Sequence, residues 1–132
     1  MIAINKKALL ILSILLLVFS LSLTTTNYAY ADRIFRMKVS AYSTFDDQNG
    51  LNSNGDPEHT ATMTYPTVGR TIAVDPQVIP YGSDVWIEGL GWYIAEDTGG
   101  AIIDSRIDVC VDTFKEANNF GIRTLKVLVK TK

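Results

Sequence analysis

Apolar and polar positions alternate along most of the chain beyond residue 31. Over residues 36–42, Met37, Val39 and Ala41 alternate with Lys38, Ser40 and Tyr42, a period of two that predicts a strand with one buried face. Residues 70–75 carry β-branched Thr71, Ile72 and Val74 and stop at Pro76, which predicts a second strand followed by an apolar turn over 78–83. Residues 84–88 and 92–96 read as strands joined by Gly89-Leu90-Gly91, a hairpin connection. Ile107, Val109 and Val111 alternate through a strand over 106–111, and Leu125, Val127 and Val129 share one face of a last strand over 122–129. Between these two the period changes. Thr113 and Glu116 have the spacing of a capping box, Phe114, Ala117 and Asn118 share a helical face, and Gly121 fits the position just past the helix. Short strands at close spacing with one short helix predict an all-β barrel or sandwich.

Two stretches fall outside this pattern. Lys6 and Lys7 precede an apolar run from Ala8 to Leu23, and Ala29-Tyr30-Ala31 supplies a small-x-small cleavage pattern, so residues 1–31 read as a secretory signal peptide and 32–132 as a single exported domain. That run is short for a membrane span, so no stable membrane association is expected once the leader is removed. Residues 44–66 are rich in Asp, Asn, Gly, Ser, Thr and Pro and read as a long surface loop, a candidate wall for a groove. Asn52, Asn54 and Asp56 alternate like a calcium loop, but Met63 stands where its closing glutamate belongs, so turns are read there and no metal site.

Composition narrows the partners. The net charge of −2 becomes more negative when Lys6 and Lys7 leave with the leader, which argues against nucleic acid. Cys110 is the only cysteine, so an internal disulfide is excluded and packing must hold the domain together. A catalytic thiol is set aside because the only histidine, His59, lies in the distant loop. Trp86 and Trp92 have the chemistry of a sugar platform, but strand aromatics usually serve as core or cover. Asp112 shares a two-residue period with Asp108 and Cys110, and helix capping is its expected duty.

The chemistry concentrates in residues 93–108. Carboxylates and glycines stand there between two apolar strand patterns, with Asp97 expected at one strand end and Asp108 at its neighbour. If the segment folds back on itself, the two carboxylates meet beside Gly99 and Gly100, where a polymer can approach the backbone closely.

These residues resemble a known family. Residues 69–76, Val78-Ile79-Pro80-Tyr81-Gly82-Ser83, Ala95-Glu96-Asp97-Thr98-Gly99-Gly100-Ala101-Ile102, Arg106-Ile107-Asp108 and the helix from Glu116 to Gly121 together look like the three-aspartate, or 3D, domain, which is similar to the catalytic domain of membrane-bound lytic transglycosylase A. The resemblance implies a six-stranded double-psi β-barrel with one short helix. It also implies cleavage of the β-1,4 bond between N-acetylmuramic acid and N-acetylglucosamine in peptidoglycan, leaving a 1,6-anhydro end and needing no cofactor. The signature aspartates fall on Asp75, Asp97 and Asp108. Asp108 is the implied acid/base, Asp97 and Asp75 are assigned to positioning and electrostatics, and an Asp before Pro76 has turn capping as an equal claim. Tyr42, Thr60, Gly99, Gly100 and Ala101 are candidate substrate contacts. The chain departs from the family where Ile103 and Asp104 replace a usual lysine and glycine, and where Met63 replaces a common glycine. Two further readings stay open: a glycan-binding or expansin-like wall module, and a dimeric aspartic protease suggested by Asp97-Thr98-Gly99.

Overall fold

The computed structural model describes residues 5–22, 32–44, 56 and 58–131. Helix α1 covers Lys6–Ser22 of the expected leader, and among the described residues no helix is long and apolar enough to cross a membrane. The cleavage pattern at 29–31 lies outside the described residues, as do Asn52 and Asn54.

Strands β1 (Arg33–Tyr42), β2 (Thr71–Val74), β3 (Asp84–Ile87), β4 (Gly91–Asp97), β5 (Arg106–Cys110) and β6 (Arg123–Lys130) close into a barrel in the order β1-β5-β2-β4-β3-β6. Closure removes the free edges that an open sheet would otherwise expose. β1 and β5 pair in parallel, as do β2 and β4, while the other neighbours are antiparallel. Exchanging β1, β2 and β3 for β4, β5 and β6 reproduces the same ring of pairings, so two interlocked halves are related by an approximate two-fold. This is the double-psi arrangement expected. Alternation sets the inside: Met37, Val39, Ile72, Ile107, Val127 and Val129 fill the core at 3% exposure or less. Their strand neighbours Lys38, Ser40, Arg106 and Asp108 therefore point out of the barrel.

Three details differ from the sequence pattern. β1 begins at Arg33 rather than 36, because its ladder with β6 runs on to Arg33↔Val129 even though Ile34 is 66% exposed and breaks the alternation. The segment 93–108 does not fold into a hairpin: β2 lies between β4 and β5, and Ala73 is the register partner of both Asp97 and Asp108. All four β2 residues are buried, which requires a neighbour on each side and makes β2 a central strand. Asp112 is exposed and is not the helix cap. The cap of α2 (Phe114–Phe120) is Thr113, whose Oγ1 accepts from the Glu116 N–H at 3.1 Å while Glu116 Oε2 accepts from the Asp112 N–H at 3.2 Å. The helix buries Ala117 and rests on β1, and Gly121 at φ 65° turns the chain out of it.

Candidate active site

The outer face of β1, β5, β2 and β4 forms the floor of a cleft of about 510 Å3, lined by Tyr42, Asp108, Ala73 and Asp97. The turn 59–66 makes one wall, as expected of the long loop, and the glycine turn 98–102 makes the other. The wall is braced by its own hydroxyls. Thr60 Oγ1 lies 3.1 Å from Thr62 Oγ1 and 2.8 Å from Thr64 Oγ1, and the Thr60 N–H donates to the Thr64 carbonyl at 2.8 Å. Thr60 is only 3% exposed, so its main contribution is to shape the wall that presents Ala61 and His59. At the apex Met63 has φ 62°, a left-handed conformation that side chains resist, which accounts for the glycine common there in the resembling family.

Asp97 ties the wall to the barrel. Its Oδ1 accepts the backbone N–H groups of Ala61 at 3.1 Å and Thr98 at 2.9 Å, and its Oδ2 accepts the Tyr42 hydroxyl at 2.9 Å. Both oxygens are thus occupied by donors within the chain. Tyr42 is 8% exposed, and burial together with the Asp97 carboxylate raises its hydroxyl far above the ordinary phenol range, so it remains a neutral donor. The structure gives Tyr42 the task of bracing Asp97 rather than presenting an open stacking face.

Asp108 has different surroundings. Burial pushes its carboxyl above the usual carboxylate range and the Asp97 charge adds to this, while the Ser40 hydroxyl and the Arg106 guanidinium pull the other way. Its Oδ1 is buried without a hydrogen-bond partner among the described residues. A carboxyl with a raised pKa and an unpartnered buried oxygen makes Asp108 the candidate for proton transfer in this cleft. Cys110, next on the same face, is 2% exposed and its thiol is pushed up to about 11, chiefly by burial, which suits packing and not nucleophilic attack.

Asp75 does not line the cleft. Its Oδ1 accepts the Gln77 N–H at 2.9 Å and its Oδ2 the Asp104 N–H at 2.9 Å, so it caps the turn after β2 and fastens the segment leading into β5. Asp104 sits there at φ 56°, the second position where the resembling family has glycine. Gly99 is tightly placed, since an added Cβ would lie 3.2 Å from Ile102 Cγ1, whereas Gly100 has open space around it; Gly100 and Ala101 both line the cleft. Trp86 and Trp92 pair across β3 and β4, and neither lines the cleft. Trp92, half exposed, lines a separate hollow of about 480 Å3 with Lys130 Nζ 5.3 Å from its ring centroid.

Sequence reasoning missed two participants. His59 lines the cleft, with Nδ1 3.0 Å from Asp56 Oδ2 and its ring 5.4 Å from that of Tyr65. Glu96, only 5% exposed, accepts Arg70 Nη2 at 2.6 Å and Thr71 Oγ1 at 2.9 Å, while its carbonyl accepts the Thr62 N–H at 3.1 Å. It locks β2, β4 and the wall together. Among the described residues no three His, Cys, Asp or Glu side chains converge as a metal ion would require.

Comparison with known proteins places this geometry. Residues 70–130, from the start of β2 through β6, match the model of the 3D domain. This part of the chain belongs to the 3D domain family. The chain is 36% identical over 112 residues to the cell wall-binding protein YocH of Bacillus subtilis, covering 80% of this chain and 36% of YocH. It is 34% identical over 102 residues to the prophage-derived uncharacterized protein YorM of the same organism, covering 75% of this chain and 43% of YorM. Among solved structures it is similar to an apo form of the lytic transglycosylase MltA of Escherichia coli, with a TM-score of 0.50 and 19% identity over 61% of this chain and 29% of that one. That likeness is one of fold. The chain spans less than half the length of each of these proteins.

Proposed function

We propose that residues 32–132 act as an exported peptidoglycan lytic transglycosylase at the cell wall, with Asp108 as its single acid/base. The observation that carries this reading is the contrast between the two cleft carboxyls: Asp97 has donors on both oxygens, whereas Asp108 is pushed toward its protonated form and has an unpartnered oxygen. Protonated Asp108 donates to the glycosidic oxygen as the bond from C1 of the muramic acid breaks. The carboxylate left behind accepts the proton of the 6-hydroxyl as that oxygen closes on C1. Proton and bonds balance without water, so a second carboxylate acting as nucleophile or base is not needed. Asp97, with Tyr42 behind it, fixes the wall and contributes the negative charge that helps keep Asp108 protonated. Asp75 acts from a distance by holding the segment that enters β5.

The test is mass spectrometry of muropeptides released from sacculi by the mature protein and by Asp108→Asn. Products one water lighter than reducing-end muropeptides, absent with the variant, are expected. Reducing-end products would mean hydrolysis instead.

A second reading, a wall-binding module that grips glycan without cutting it, is favoured by the name of the relative YocH. Binding of sacculi without soluble products would establish it. No specific observation favours the protease reading, which rests on the tripeptide Asp97-Thr98-Gly99 alone.

A further inference from the structure

We propose that the outer face of β1, β5 and β6 beside the cleft binds anionic groups, carboxylates or phosphates, carried by the wall polymer whose glycan occupies the cleft. This deepens the function proposed above and rests on it for the choice of polymer. Arg36, Lys38 and Arg106 line a hollow of about 500 Å3 together with Thr124. Ala101 lines both this hollow and the cleft, so one extended chain can occupy the two.

The sheet register sets like charges against one another. Lys38 is the partner of Arg106 across β1 and β5, and Arg36 is the partner of Lys126 across β1 and β6. Cross-strand like charges destabilise a sheet, and two adjacent pairs in a chain of negative net charge need a compensating interaction. The chain supplies it only in part. Among the described residues none of these four cations forms a salt bridge, and Arg106 Nε is buried with no hydrogen-bond partner. The nearby acids are fewer than the four cations. Asp104 is the one carboxylate lining the hollow, Glu88 accepts the Lys126 backbone N–H, and Asp108 attracts Arg106 from within the cleft. An external anion meets the remaining positive charge that the exposed Arg36 and Lys38 present beside Arg106.

Arg36 and Lys38 are exposed and lie outside the proposed acid/base machinery, so they are the residues to change. Co-sedimentation of the wild-type protein and of Arg36→Gln/Lys38→Gln is measured at low salt with intact walls, walls freed of phosphate polymers by hydrofluoric acid, walls freed of stem peptides by amidase, and neutral chitin oligosaccharides in a soluble binding assay. The double variant is expected to bind intact walls about tenfold more weakly, with a shallower salt dependence, and to bind the neutral oligosaccharides unchanged. Its thermal midpoint should not fall, because the repulsion is relieved. If the difference vanishes on phosphate-free walls the anion is phosphate, and if it vanishes on peptide-free walls it is a carboxylate. Equal binding of intact walls by the two proteins, or an equal loss on neutral oligosaccharide, overturns the proposal. If the variant loses wall binding while neither protein yields anhydro products, the anion site stands and the catalytic reading falls.

Discussion

Tyr42 and Asp97, 55 residues apart in sequence, are joined by a 2.9 Å hydrogen bond at the ends of β1 and β4. The approximate two-fold of the barrel exchanges these two strands, so the bond closes the two halves on each other where the cleft forms. Removing the hydroxyl leaves Oδ2 of a half-buried carboxylate without its side-chain donor, at a cost of about 1.5–3 kcal/mol for a bond to a charged group. Tyr42→Phe keeps the ring and should therefore lower stability by that amount and reduce glycan cleavage. Urea unfolding and muropeptide release check this. A purely stacking role for Tyr42 predicts unchanged stability.

Under the proposed mechanism Asp108 links activity to pH. Its folded-state pKa is raised, and the protonated form is the proposed donor, so the rate should fall as pH rises through that raised value. Asp108→Asn should reduce release of anhydro-muropeptides by about 10²–10⁴-fold, the range expected for loss of general acid/base catalysis. A rate that does not decline on the alkaline side would count against the assignment.

The same shift has a sign for stability. A carboxyl with a raised folded pKa binds more protons in the folded state than in the unfolded one, so its contribution is intact at acid pH and weakens as pH climbs from the unfolded value through the raised one. Asp108→Asn should accordingly be more stable than wild type at neutral pH, with the advantage shrinking in acid. Thermal unfolding at the two pH values reads it directly.

What the sequence revealed and what it concealed follow the same physics. Alternation in β1 and β6 exposed the core residues Met37, Val39, Val127 and Val129, because each strand has one buried face. The motifs around Asp97 and Asp108 exposed the cleft carboxylates. Hidden were the relations set by barrel closure. No local pattern states that β2 inserts between β4 and β5, that Tyr42 reaches Asp97, or that the loop bearing His59 folds back over them. Glu96 escaped notice because a charged residue at a strand end reads as solvent-facing, and only the Arg70 and Thr71 donors across the β2–β4 pair explain its burial.

The two places where this chain lacks a glycine usual in the resembling family are, among the described residues, the two positive-φ residues that are not glycine, Met63 at 62° and Asp104 at 56°. A left-handed conformation costs an ordinary side chain about 1–2 kcal/mol, and glycine returns part of that gain through its freer unfolded state. Met63→Gly should raise stability by up to about 1 kcal/mol. Asp104→Gly should be close to neutral, because aspartate tolerates this region and the substitution keeps the N–H that Asp75 accepts. Equal effects at both sites in denaturant titrations would show that backbone strain is not the cause.

The Arg70–Glu96 pair is asymmetric, and the asymmetry decides which substitution hurts. The Arg70 side chain is 49% exposed and that of Glu96 only 6%, so losing Glu96 releases a cation to water, whereas losing Arg70 strands a carboxylate beside Thr71 in the interior. Leaving a buried charge without its partner costs about 3–5 kcal/mol, while an orphaned buried hydroxyl costs about 1–3. Arg70→Met should therefore be more destabilising than Glu96→Gln, which keeps an oxygen able to accept from Thr71. Adding Glu96→Gln to Arg70→Met should recover part of the loss, since the stranded charge is gone. A double variant less stable than Arg70→Met alone would mean that the carboxylate is satisfied without arginine and that β2 is held to β4 mainly by its backbone ladder.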